Sequence, residues 1–199
     1  MTVAGPLLYA RSRAVPLAAA ALAATTVVAV WAADGLDAYL DPNRRVPVVA
    51  LAPLFAAAVI GTSLHSASDE LDRTAVRPWW RRRLLHLLTL TALATALLPF
   101  AVLGHASSFG PPAMIRNVLG CTGLTAGAAV VLGARLSWLP VFGYVSAMYL
   151  GISGMQGGSL PVWAWLLEPR TDGPAWTTAA ALFAAGGTAY ALRGARATP

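Results

Sequence analysis

Long apolar runs separated by short polar ones set the pattern of this chain. Six runs stand out, roughly 14–33, 46–64, 84–104, 115–134, 137–155 and 174–192. Each is close to the ~20 apolar residues that a helix needs to cross a ~30 Å hydrocarbon layer. A membrane barrel would instead show ~10-residue segments alternating apolar and polar, and no such segment is seen. The pattern predicts an all-α, polytopic membrane protein with six transmembrane helices in a single domain over 1–199. Between Val118 and Met155 the chain is almost continuously apolar. One helix of that length would extend almost 60 Å at 1.5 Å per residue, so it has to fold back. Gly133, Arg135, Ser137 and Pro140 supply a break there, together with a charge that belongs at the interface. The first run follows Arg11 and Arg13 as a secretory signal would, but it is long for one and carries Trp31 at its outer edge. It reads as a retained first helix.

Composition narrows the class. Of 199 residues, 57% are hydrophobic and 11% charged, with a mean hydropathy of +0.64. That is less than half the charge of an ordinary soluble domain, which excludes a water-soluble enzyme, a disordered chain and a collagen-like rod. These residues leave no room for a separate catalytic domain. The net charge of +6 comes from 14 arginines and no lysine, set between apolar runs where they meet lipid phosphates rather than nucleic acid. Ten of them, including Arg11, Arg13, Arg135, Arg193 and Arg196, fall on one side of the expected topology, against Arg44, Arg45, Arg116 and Arg170 on the other. The excess predicts cytoplasmic N- and C-termini. All eight acids lie in loops, so no intramembrane acid is present for ion coupling. The lone Cys121 has no disulfide or ligand partner and reads as a packing residue.

Chemistry concentrates between the second and third runs, in "LHSASDELDRTAVRPWWRRRLLHLL". Ser66 and Asp69 have capping-box spacing, Asp69, Glu70 and Asp72 suit the positive end of a helix, and Pro78 ends it. A short cytoplasmic helix over about 67–76 results. Its acidic start and basic end suit docking of another protein, with Ser66, Asp69, Glu70, Asp72, Arg73 and Arg77 as the docking residues. Trp79, Trp80, Arg81, Arg82 and Arg83 read as membrane-interface anchors, as do Trp163 and Trp165 in an extracellular interfacial segment over 157–173. Small-residue ridges, Gly123 with Gly127 and Gly143 with Ala147 and Gly151, mark faces for helix packing. The Gly151–Gly154 stretch, G-I-S-G, resembles the nucleophile motif of rhomboid intramembrane proteases. Ser153 has no histidine after it to serve as base, because His65, His86 and His105 all precede it. The three histidines do not converge on this topology, so no metal site is expected.

The layout as a whole resembles the permease subunit of ABC-2-type exporters. In it, "LHSASDELDRTAVRP" stands where that family has its coupling helix, and "GARLS" where it has a tight turn between helices four and five. "GGSLPVWAWLLEPRTDGP" stands at its last extracellular element. The resemblance lies in layout, and the chain is short for the family. It implies a homodimer, or pairing with a similar permease, in a cell membrane such as the bacterial cytoplasmic membrane. It further implies a separate cytoplasmic ATPase carrying ATP and magnesium, no cofactor or catalytic site on this chain, and an exported cargo moving along the dimer interface. The reading from another class is a polytopic scaffold or regulatory protein that transports nothing.

Overall fold

A computed structural model describes residues 15–39, 41–65, 79–103, 108–152, 162–168 and 173–196. Among them are six α-helices and no strand: α1 (Val15–Gly35), α2 (Val46–Ser63), α3 (Trp80–Leu97), α4 (Pro111–Leu132), α5 (Leu139–Ile152) and α6 (Gly173–Arg193). Short 3-10 segments cover Pro42–Arg45, Leu98–Val102, Ala134–Leu136 and Val162–Leu167. The expected 67–76 helix, with Ser66, Asp69, Glu70, Asp72, Arg73 and Arg77, lies outside the described residues, as do His105 and Ser153.

Proline sets several boundaries. Pro47 stands in the first turn of α2, and Pro111 and Pro112 open α4, where a missing N–H costs nothing. α4 therefore starts four residues before the apolar run at 115, which places Arg116 in its second turn rather than at its first residues. α3 starts at Trp80, so Arg81, Arg82 and Arg83 belong to its first turn. It tightens into a 3-10 turn from Leu98, next to Pro99, which has no N–H to continue the α pattern. The fold-back between α4 and α5 occurs at Gly133, whose φ of 85° suits glycine. Pro140 instead sits in the first turn of α5.

Four helical stretches are long and apolar enough to cross a membrane: α1, α2, Trp80–Val102 and α4. The fold fits a multi-pass membrane protein. The 14 described residues of α5 span about 21 Å at 1.5 Å per residue. α6 has 21 residues, but Gly, Thr, Trp and Tyr dilute its hydropathy.

α4 is the central element, and α2 and α4 together divide two apolar cores. One core takes Leu22 of α1, Ile60 of α2, Leu87 and Leu90 of α3, Val118 of α4 and Tyr190 of α6. The other takes Leu54 of α2, Cys121 of α4, Val145 and Met148 of α5, Trp165 and Ala179 of α6. In lipid such cores cohere by close packing rather than by expulsion of water.

The closest approach is between α4 and α6. A methyl group at Gly186 would fall on the Gly123 carbonyl, and one at Gly123 on the backbone of Leu182 and Phe183. Gly127 faces the Gly186 Cα. The Gly123 and Gly127 ridge is thus a contact face inside the chain. The α5 ridge is different. Gly143, Ala147 and Gly151 are exposed, a Cβ on Gly143 would meet nothing within 4 Å, and one on Gly151 would touch only Trp163. Gly186→Leu should therefore lower stability by about 1–3 kcal/mol, the usual cost of overpacking. Gly143→Ala should be close to neutral, both being read from thermal unfolding in detergent.

Candidate functional site

Two clusters of buried polar side chains hold the bundle, one near each end. The first is built on α4. Pro53 lies inside α2 and lacks an N–H, so the carbonyl of Val49, four residues earlier, loses its helical donor. Asn117 fills that gap. Its Nδ2 donates to the Val49 carbonyl at 3.0 Å and to the Leu166 carbonyl at 2.9 Å. Its Oδ1 accepts from Arg116 Nε at 3.1 Å. Arg116 Nη2 donates to the Glu168 carbonyl at 3.0 Å and reaches that of Leu166 at 3.4 Å. Both side chains are fully buried. A cation so close to the N-terminus of α4 meets the positive end of the helix dipole. The carbonyl oxygens turned toward Arg116 offset that repulsion.

The Val162–Leu167 segment is shaped to be clamped in this way. Ala164, at φ −90° and ψ 22°, interrupts its 3-10 run. Ala164, Trp165, Leu166 and Leu167 are buried. The Trp165 ring stacks on Tyr144, with centroids 6.1 Å apart, and occupies the space that a side chain on Gly120 would need. The Tyr144 hydroxyl donates to the Trp163 carbonyl. The segment is therefore packed inside the protein. Of its two expected interface anchors only Trp163 is exposed, and Trp165 faces the core instead of lipid headgroups.

The second cluster joins α2, α3 and α6. Ser63 Oγ is 2.6 Å from the Ile60 carbonyl and 3.2 Å from His86 Nε2. The shorter contact takes the hydroxyl proton, so the imidazole N–H donates to Ser63. This assignment follows from the bonding network. A serine nucleophile needs the reverse, with its proton directed at the histidine. The pair is a structural tie rather than a catalytic dyad. Tyr190 Oη donates to the Leu64 carbonyl at 3.5 Å. Arg83 is buried, with its guanidinium against Gly194, which takes φ 75°. It was expected among the lipid-facing anchors, and the C-terminal segment covers it instead. Arg81 and Arg82 stay exposed, each over a tryptophan, at 5.3 Å from Trp80 and 4.8 Å from Trp79. Arg196 caps α4, with its N–H on the Ala129 carbonyl at 2.9 Å and Nη1 on that of Val131 at 3.2 Å.

The sequence reading missed both clusters. The signals were present: Gly-Pro-Pro at 110–112 places the helix start more than a turn before Arg116, and Pro53 implies an unpaired carbonyl at Val49. Asn117 is the one side-chain amide within the apolar runs. Among the described residues no three His, Cys, Asp or Glu side chains lie where they could hold a metal ion.

Asn117→Ala should cost about 1–3 kcal/mol, the penalty for leaving buried groups unsatisfied. Adding Pro53→Ala restores an N–H for Val49, so the loss should shrink in that background. A double-mutant cycle from thermal unfolding measures the coupling. Strict additivity would show that the proline gap is not what Asn117 fills.

Compared with known proteins, the chain matches no protein family, no curated protein and no solved structure.

Proposed function

We propose that this chain is the membrane-spanning subunit of an ATP-driven exporter, paired with a second copy or a similar permease and docked to a separate cytoplasmic ATPase. The observation that carries the reading is the short 3-10 element between α5 and α6, clamped into the bundle by Arg116 and Asn117. Such an element, after a tight turn between the fourth and fifth helices (here Ala134–Leu136), is the order in which ABC-2-type permeases arrange their parts. In this reading all six helices cross the cell membrane and both termini are cytoplasmic. The 67–76 segment receives the push of the ATPase through Ser66, Asp69, Glu70, Asp72, Arg73 and Arg77. ATP and magnesium bind the partner, and the cargo moves between subunits.

A second reading, a polytopic scaffold or regulator, is favoured by the packed interior. Apolar cores fill the spaces on both sides of α4.

Affinity purification from native membranes in mild detergent separates the two. An exporter subunit brings an ATPase with it, and loses it when Asp69, Glu70 and Asp72 are changed to Lys. A chain that purifies alone and tolerates those changes leaves the scaffold reading. Single cysteines placed over 66–77 should resist impermeant thiol reagents in intact cells. Labelling there would reverse the orientation and remove the docking argument.

A further inference from the structure

A groove of about 740 Å³ runs between α1 and α2. Its walls include Val28 of α1, Leu36 just after it, and Leu51 and Phe55 of α2, all partly exposed, and Trp138 joins the lining next to Ser137, which packs on Gly61 near the Thr62 end. The two threonines in its lining are not polar contacts. Thr25 Oγ1 donates to the Ala21 carbonyl at 2.8 Å and Thr62 Oγ1 to the Val59 carbonyl at 3.0 Å, so both hydroxyls are taken by their own helices. The lining that remains is hydrocarbon, on two helices long and apolar enough to cross a membrane.

Shape narrows the occupant. From Pro47 to Thr62 the groove follows α2 for about 22 Å at 1.5 Å per residue. That exceeds one leaflet, roughly 15 Å as half of the ~30 Å hydrocarbon core. An extended polymethylene chain matches a hydrocarbon-lined groove of this length.

Charge gives the occupant a direction. At the Leu36 and Pro47 end, Arg44 is engaged by Asp37 at 3.2 Å and by Asp41 at 3.7 Å. At the Trp138 end, Arg135 stands exposed on the Ala134–Leu136 turn, three residues before Trp138. That turn packs against α2, and Arg135 makes no hydrogen bond or ion pair among the described residues. A tryptophan in the lining, followed back three residues along the same turn to an exposed cation, suits the phosphate of a lipid whose tail enters the groove. We propose that the α1–α2 groove seats one acyl chain of an anionic phospholipid, with its headgroup at Arg135. The site does not depend on the exporter reading, since it needs only that α1 and α2 cross a membrane.

Native mass spectrometry of the full chain, delipidated and re-supplied with dipalmitoyl phosphatidylglycerol or phosphatidylcholine, tests this. The chain should retain one phosphatidylglycerol. Ala58→Trp or Val28→Trp, each filling the groove, should abolish retention, while Leu85→Trp on an exposed face of α3 should not. Arg135→Gln should reduce phosphatidylglycerol retention by roughly fivefold, the effect of one basic side chain at an anionic lipid surface. It should leave phosphatidylcholine unchanged. Thermal unfolding confirms that each variant is folded. Retention that survives both tryptophans overturns the proposal, and so does a wild-type chain that holds no lipid. A dimer that Ala58→Trp dissociates would also overturn it, by showing that a second copy covers the groove.

Discussion

In hydrocarbon an unmet backbone carbonyl has no water to turn to, and Pro53 creates one in the middle of α2. Much of the architecture at that end follows from supplying the missing donor. Asn117 can reach the Val49 carbonyl only if α4 packs against α2 in one register. Its remaining amide proton then fixes the Leu166 carbonyl, and its oxygen fixes Arg116. Arg116 in turn takes the Glu168 carbonyl. Four parts of the chain (α2, the start of α4, the 3-10 segment and, through Tyr144, α5) are thus specified by one proline and one amide. Low dielectric strengthens every bond in this network and makes each one costly to leave unmade.

The rest of the bundle relies on proximity. Lipid tails are as apolar as leucine, so helices gain little by hiding apolar surface from them. The glycines of α4 and α6 let the two backbones touch, which raises dispersion contact where the hydrophobic effect gives little. Threonine hydroxyls are handled within their own helices, as at Thr25, Thr26, Thr89 and Thr91, which bond carbonyls four residues back. Thr122 and Thr125 depart from this, with buried Oγ1 atoms that find no partner among the described residues. The methyl group of Thr125 fills the space beside Gly61. Packing sets that rotamer at the expense of a hydrogen bond.

The six helices among the described residues were legible because hydropathy over ~20 residues reports them directly. Helix starts were less so, for a physical reason. A hydropathy window ends where charge begins, so Arg81–Arg83 were placed outside a helix that contains them, and the start of α4 was set four residues late. Backbone rules carry the better signal there, since proline at 111 and 112 opens α4 whatever the polarity that follows. Burial was the least legible property. Trp165 and Arg83 have the residue types of interface anchors, yet Gly120 leaves a slot for one and Gly194 a surface for the other. Both depend on contacts 45 and 111 residues away in sequence, which no local pattern contains.

These ties are unevenly distributed, and that governs which part of the bundle can move. α2 and α4 are the most embedded spans, at 61% and 56% buried, and both polar clusters engage α2. α1 is only 22% buried. Its threonines bond within the helix, and its apolar side chains meet α2, α3 and the Leu98–Val102 turn through packing alone. Such contacts lack the direction of a hydrogen bond, and the buried polar tie at this boundary lies in the connection, where Arg45 Nε donates to the Ala38 carbonyl at 2.6 Å. Displacing the Val162–Leu167 segment would instead expose three carbonyls and a cation together. The groove lies along the boundary with the fewest polar ties between helices, so its width is set by packing of α1 and by whatever fills the space between the helices.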